Sequence, residues 1–324
     1  MTCQCMSTAT KAVGVPATTA ASASAPTTVS SGSFPDIATA AQVSYNDHSW
    51  RQQNHIWTDG ELADRMKTGT QKHVPVEVSD YITRAIMRTL YHSFNLITGY
   101  KHENPSAGAI EWRLIVLESF AGVPGFMGAA FRHFHSLRSL EHDHGMIFTL
   151  LEEAENERMH LLTCLEMFKA TRVTRALVVT AQFSMTPFLI MLYLIKPKAV
   201  HRFVGYLEET AVETYCNVVK HVEQPGTDLN KAWAHLKAPD IAVDYWQLPK
   251  GQRMWVDALK RMLADEAHHR DVNHTLASLP TGAQNPFVQE HMQDFNDAVV
   301  RKSERIFKMA LQNHFNSTTS TPTK

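Results

Sequence analysis

The stretch LLEEAENERMHL, residues 150–161, decides how the rest of the chain is read. It lies in a run from Thr149 to Phe168 that has no glycine or proline and is dense in Leu, Glu, Met and Ala, the strong helix formers. On a helix, Glu157 and His160 stand one turn apart on a shared face. Met159, Leu161, Leu162 and Leu165 surround them with apolar side chains, and buried charges need partners or a metal. A second Glu-x-x-His, Glu266-Ala267-His268-His269, falls in another helical run, Val256 to Leu276. Two such helices, plus one inward Glu from each of two others, make the ligand set of a di-iron or di-manganese carboxylate site. Glu118, before the first repeat, and Glu208, between the two, stand in the required order. The expected fold is all-α, a ferritin-like four-helix bundle with a di-metal core.

Glu-x-x-His is a cheap pattern in a chain with 18 histidines. Glu141-His142-Asp143-His144 is a third match, but it ends a polar run from His133 to Gly145 and reads as a solvated helix end and loop. The plain alternative for Glu157 and His160 is a surface turn beside an apolar stripe. The paired repeats and the ordered single glutamates favour a metal.

A net charge of −1 over 324 residues offers no electrostatic footprint for nucleic acid, so no such partner is expected. Four cysteines are too few for a disulfide scaffold. Cys3 and Cys5 lie in a tail, and Cys164 and Cys216 read as buried reduced thiols in helices. No Gly-rich phosphate loop, G-x-S-x-G elbow or Cys-x-x-Cys pair occurs. Residues 1–43 are rich in Ala, Thr, Ser, Val and Pro and cannot build a core. Their Ser content and scarcity of acids suit a transit segment, while the lack of Arg suits a disordered tail. Residues 44–78, with Trp50 and Trp57, read as an extended arm lying on the bundle or on a partner subunit, and residues 314–324 as a polar tail. The bundle, 79–313, is expected to hold helices near 79–97, 109–137, 146–170, 174–195, 198–223, 252–278 and 286–313. Residues 225–251, with three prolines, read as a long connection with short helical turns.

From Ala176 to Ile195 there are 20 residues without a charge, enough by length for a membrane span. A span here would put the helix of Glu157 and that of Glu208 on opposite sides of a hydrocarbon core ~30 Å thick. Pro187, Gln182 and Ser184 also weaken that reading. The segment is either a buried bundle helix or one lying along a membrane face. The run near 79–97 interleaves Arg84, Arg88 and His92 with Ile, Leu, Tyr and Phe, the composition of an interfacial helix. Two such membrane-facing helices dipping into one leaflet fit both segments. Gly122, Gly125, Gly128, Ala129 and Ala130 allow close helix approach, either across a homodimer seam or within the chain.

Four blocks resemble the alternative oxidase family, the cyanide-insensitive ubiquinol oxidases of mitochondria. They are LESFAGVPG at 117–125, LLEEAENERMHL at 150–161, YLEETA at 206–211 and ADEAHHRDVNH at 264–274. The second and fourth are long and specific, and the likeness spans roughly residues 50–300. It implies that Glu118, Glu157, His160, Glu208, Glu266 and His269 surround two iron ions. The family's third block reads Leu followed by three Glu, so Thr210 is a departure, although not at the ligand position. Asn156 and Asp265, each directly before a ligand Glu, match positions that fix the imidazoles; ordinary helix-face polarity is the alternative.

The resemblance gives Tyr215, two turns beyond Glu208, a redox role beside the irons; a buried, hydrogen-bonded Tyr is the other reading. It also implies a ubiquinol pocket lined by Arg113, Leu117, Met185, Leu207, Ala211 and Thr214. Without it, Leu117 and Met185 would be plain core and Arg113 a snorkelling or salt-bridged side chain. The implied activity is ubiquinol oxidation with reduction of O₂ to water, without proton pumping, by a homodimer on the matrix face of the mitochondrial inner membrane. A plastid-type plastoquinol terminal oxidase, a soluble ferritin-like di-iron enzyme and a non-catalytic bundle are the alternatives.

Overall fold

The computed structural model describes residues 55–69 and 71–288, with positions 300, 303, 304 and 307. The expectations for the first tail with Cys3 and Cys5, for Trp50, for most of the last helix (286–313) and for the final tail lie outside the described residues. Within them the regular elements are helices: α1 Asp59–Thr68, α2 Val78–Thr98, α3 Ala107–Ser139, α4 Met146–Met167, α5 Arg172–Ile195, α6 Pro197–Glu223, α7 Asp228–Trp233, α8 Asp240–Tyr245 and α9 Trp255–Ser278. The fold is all-α, as expected, and among the described residues the only β pairing is an isolated bridge between Lys237 and Met254.

Local chemistry explains several ends. The Thr58 hydroxyl accepts the Glu61 amide, while the Glu61 carboxylate accepts the Thr58 amide, a reciprocal cap that starts α1. This helix lies in the stretch expected to be an extended arm, so that expectation is corrected. The Thr-x-x-Glu signal was present at 58–61. Gly99, at φ +66°, ends α2 in the left-handed region that glycine adopts without strain. Pro197 opens α6 at the position where a missing amide proton costs nothing.

Two close pairs, α3 with α4 and α6 with α9, make the bundle. A Cβ at Gly125 would stand 2.8 Å from the Leu150 carbonyl oxygen, and one at Gly122 3.0 Å from that of Ala154. Gly128 meets Leu150 and Tyr193 in the same way. These glycines therefore serve packing within the chain.

The bundle core is split into layers. One apolar cluster includes Leu114, Cys164, Tyr215, Leu259 and Leu263, and another includes Ala129, Met146, Leu150, Val272 and Leu276. On α3, α4 and α9 the buried glutamates, Asp265 and the buried histidines lie between these two sets along the chain. Outside the bundle, α2 buries only Asp80, Thr83 and Met87, and α5 only Thr174, Leu189 and Tyr193. Helix α5 leaves Leu177, Phe183, Phe188, Met191, Leu194 and Ile195 exposed, and α2 leaves Ile82, Ile86, Leu90 and Ile97. Both α3 and α5 are long and apolar enough to cross a membrane, but α3 is built into the bundle.

Candidate metal centre

Helix α4 turns Glu153, Asn156, Glu157, His160 and Cys164 inward while Arg158 and Leu165 face out. Helix α9 does the same with Asp265, Glu266, His269 and Asn273. Ligand atoms of Glu118, Glu157, His160 and Glu266, from α3, α4 and α9, lie within 4.8 Å of one another, all buried. His160 Nδ1 is 3.2 Å from Glu266 Oε1, 3.4 Å from Glu118 Oε2 and 3.6 Å from Glu157 Oε2. The other two expected members stand at the edge of this group. His269 Nδ1 approaches Glu157 Oε1 at 2.6 Å, and Glu208, buried on α6, interacts electrostatically with Glu266 and Glu118.

So many carboxylates in one dry layer cannot all ionise unaided. Burial, then mutual repulsion, holds Glu157 and Glu208 well above the usual carboxylate range, and Glu266 is pushed up to about 8. Several of their atoms have no hydrogen-bond partner: Glu118 Oε2, both Glu157 oxygens, Glu266 Oε2 and both His269 nitrogens. Converging, unpartnered, buried oxygens and nitrogens are what a hard cation pair needs, so the donor set fits two metal ions.

Asp265 is the counterpoint. Burial works against its charge, but the hydrogen bond from His160 and the nearby His55 imidazole, 3.6 Å away, outweigh that and hold it well below the ordinary aspartate range. Its carboxylate accepts from Trp57 Nε1 at 2.6 Å, Trp246 Nε1 at 2.8 Å and Asn156 Nδ2 at 3.1 Å. His160 Nε2 lies 3.0 Å away and must be the protonated nitrogen against an ionised acceptor. In the neutral ring that fixes the tautomer, so Nδ1, which faces the carboxylate group, is the nitrogen that would offer its lone pair to a metal. Asn156 reaches the imidazole only through Asp265, and also donates to Tyr245 Oη at 3.0 Å.

The Tyr215 hydroxyl donates to Glu118 Oε1 at 2.6 Å, and burial pushes the phenol well up. A cavity of about 350 Å³ runs from this point outward between α2, α3, α5 and α6. All six expected pocket residues, Arg113, Leu117, Met185, Leu207, Ala211 and Thr214, line it, together with Thr210. Leu90 and Ile97, exposed on α2, lie at its wall. On the other side of Glu118 a more open groove of about 810 Å³ separates α3, α4 and α5.

Several further residues belong to the site. Glu153, one turn before Glu157, is pushed by burial up to about 8 and accepts from Asn273 Nδ2 at 3.2 Å. Its spacing from Glu157 was the available signal. Trp57, Tyr245 and Trp246 reach Asp265 or Asn156 from distant segments, and no local spacing could announce them.

The family model described as alternative oxidase matches residues 61–278. Over 223 residues the chain is 45% identical to the mitochondrial alternative oxidase of Emericella nidulans, covering 65% of this chain and 62% of that protein. It is 44% identical to that of Ajellomyces capsulatus (66% and 63% covered) and 40% identical to that of Cryptococcus neoformans over 276 residues (76% and 67%). The chain thus matches less than two thirds of the length of the first two of these relatives.

Proposed function

The chain belongs to the alternative oxidase family, and from that premise we propose that it is a ubiquinol:oxygen oxidoreductase that reduces O₂ to water at a di-iron centre. The observation that carries the reading is the convergence of Glu118, Glu157, His160 and Glu266 at the inner end of a cavity that opens toward an apolar surface. Glu118, Glu157, Glu208 and Glu266, with His160 and His269, would hold the irons. Four carboxylates would neutralise two ferrous ions; the pair would offer the binding positions for O₂ and relay to it the four electrons that two quinols give up.

The chain's own residues do the rest. Asp265 holds the His160 proton on Nε2. Tyr215 holds its phenolic proton on the Glu118 carboxylate, where an electron and a proton can leave the ring together. Leu117, Met185, Leu207 and Ala211 give the cavity the apolar wall that a lipid-soluble quinol needs, and Arg113 and Thr214 offer polar contacts. The exposed apolar residues of α2 and α5 support attachment to one leaflet, on the matrix face of the mitochondrial inner membrane. A protein attached to one leaflet offers no proton path across the membrane, so in this reading the free energy leaves as heat.

A homodimer is part of this reading. Its support is the open groove between α3, α4 and α5, where Phe126, Phe148 and Leu151 stand exposed. The test is an oxygen electrode with a short-chain ubiquinol, with and without cyanide. Quinol-dependent, cyanide-insensitive uptake by protein holding two irons per chain is expected. Uptake with plastoquinol alone would favour a plastid-type enzyme. Iron without uptake would favour a soluble ferritin-like enzyme, and folded protein without iron a non-catalytic bundle.

A further inference from the structure

O₂ takes four electrons and each quinol gives two, so an iron pair that runs short of quinol is left holding oxidising equivalents. Oxidisable side chains lie close to it. The Cys164 thiol is buried near Glu118, His160 and Glu266, and Met262 Sδ stands 4.0 Å from the Tyr215 hydroxyl. Sulfur at these positions is lost to sulfenic acid or sulfoxide unless the equivalents drain elsewhere.

A line of indoles leads away from the centre. The Trp246 ring, 2% exposed, lies 5.7 Å from the His160 imidazole. Its Nε1 donates to Asp265 Oδ2 at 2.8 Å, and Trp57 Nε1 donates to Asp265 Oδ1 at 2.6 Å, so one carboxylate joins the two indoles. Trp57 is half-buried, just ahead of α1, and there the line meets solvent. Tyr245, edge-on to Trp246 at 4.9 Å, is buried, and so is the His55 ring stacked on it, so that branch stays inside. His268 lies 5.9 Å from Trp57 and 6.5 Å from His269, but an imidazole gives up an electron far less readily than an indole. The Asp265 charge makes both indoles easier to oxidise, and its oxygens can take their N–H protons. The Arg65 guanidinium, 5.4 Å from the Trp57 ring, opposes this, but it is paired with Asp271 Oδ2 at 2.6 Å.

We propose that Trp246 and Trp57 form an outlet that carries single oxidising equivalents from the metal centre to the surface beside α1, where a thiol or ascorbate in solution quenches them. It rests on the di-iron reading for the source of the oxidant. Trp246 gives the centre one electron while its N–H proton shifts to Asp265 Oδ2. Trp57 then gives Trp246 one electron, the first proton returns to Trp246, and the Trp57 proton shifts to Oδ1. A thiol gives Trp57 one electron and releases its own proton to water, and the Oδ1 proton returns to the indole. Two thiyl radicals formed this way join as a disulfide, and the protein is left unchanged.

The test is a challenge of the iron-loaded, detergent-solubilised full chain with limiting hydrogen peroxide and no quinol, with oxidised residues mapped by peptide mass spectrometry. Trp57 should be oxidised several-fold more than Trp112, which is also half-buried but stacks on Phe94 away from this line. Ascorbate should suppress the mark, and iron-free protein should lack it. At matched iron content Trp246→Phe should lower the Trp57 mark several-fold. Trp57→Phe should move the damage inward to Cys164, Met262 and Trp246, whereas Trp57→Tyr, of the same size but oxidisable, should prevent it. If Trp246→Phe does not hold iron, the two variants at 57 carry the test. Three results would overturn the outlet: Trp57 marked no more than Trp112, an equal mark without iron, or the same inward damage in Trp57→Phe and Trp57→Tyr. The challenge needs no turnover. A marked Trp57 without quinol-dependent oxygen uptake would reject the oxidase and leave the outlet, and uptake with an unmarked Trp57 would do the reverse.

Discussion

The two Glu-x-x-His repeats are alike in sequence and unlike in surroundings. His160 has one nitrogen on Asp265 at 3.0 Å and the other facing three carboxylates. His269 has neither nitrogen in a hydrogen bond, although its Nδ1 stands 2.6 Å from Glu157. The difference comes from outside the repeats, through Asp265 and the donors Trp57, Trp246 and Asn156 gathered on it. Spacing places an imidazole on the right face of a helix, and distant residues decide which of its nitrogens is a lone pair.

Glu157 is the point where the two repeats meet, with His160 and His269 on either oxygen. Glu157→Ala should therefore affect both. Iron content should fall by more than about 100-fold in affinity terms, beyond the loss typical of a neighbour of a ligand, and quinol-dependent oxygen uptake should fall to background. The fold should survive, because the variant removes a buried carboxylate whose charge is unwelcome without metal. Circular dichroism and iron analysis on one sample check both halves. A variant that keeps two irons would break the assignment.

Asp265→Asn separates the repeats. Asn can present its amide hydrogen to His160 Nε2 and reverse the tautomer, so iron affinity should fall by about 10- to 100-fold. Asn273→Ala is the matching change on the His269 side. Asn273 bonds the His269 carbonyl and the Glu153 carboxylate but not the His269 ring, so its effect on iron should be smaller. Equal losses in the two would remove the contrast drawn above.

The carboxylate layer also sets a pH dependence. In metal-free protein Glu153 and Glu266 titrate near 8, and Glu157 and Glu208 are raised as well, whereas all four ionise near 4.5 when unfolded. Between those values the folded state holds protons that the unfolded state releases. The contribution of the layer to stability is then greatest below about 4.5 and is lost as pH rises toward about 8. His160, raised above its usual 6.5, acts with the same sign, since its proton is kept in the folded state as pH rises. Thermal melts of iron-free protein should fall across this window, while iron-loaded protein, with its carboxylates held ionised, should not follow. Parallel melts would show that the acids are not metal-linked.

Much of this was legible along the chain because the information is local. Helix α4 needs only strong formers and an uninterrupted run, and Glu157, His160, Glu266 and His269 need only a spacing of three. The long uncharged segment gave α5, and the structure leaves most of it exposed rather than buried in the bundle. Three things were not legible. Helix α1 lies in a mixed-polarity stretch whose one local signal is the Thr58–Glu61 cap. Gly122 and Gly125 say that something approaches closely, but only the structure identifies it as the backbone of α4. The partners of Asp265 come from residues up to 208 positions away, and no periodicity carries that pairing.

Trp57 tests the most remote of those partners. It stands just ahead of α1, outside the bundle, yet its indole donates to Asp265 Oδ1 at 2.6 Å, and the Arg65 guanidinium lies 5.4 Å from its ring. Trp57→Phe keeps the aromatic body and deletes that donor. Trp246 and Asn156 still donate to Asp265, but to Oδ2 rather than Oδ1. The cost should be about 1–2 kcal/mol of stability, with His160 still held on Oδ2 and iron affinity changed less than in Asp265→Asn. A Trp57→Phe protein that loses iron as fully as Asp265→Asn would mean that the segment before α1 fixes the carboxylate's orientation, and that the difference between the two histidines originates outside the bundle altogether.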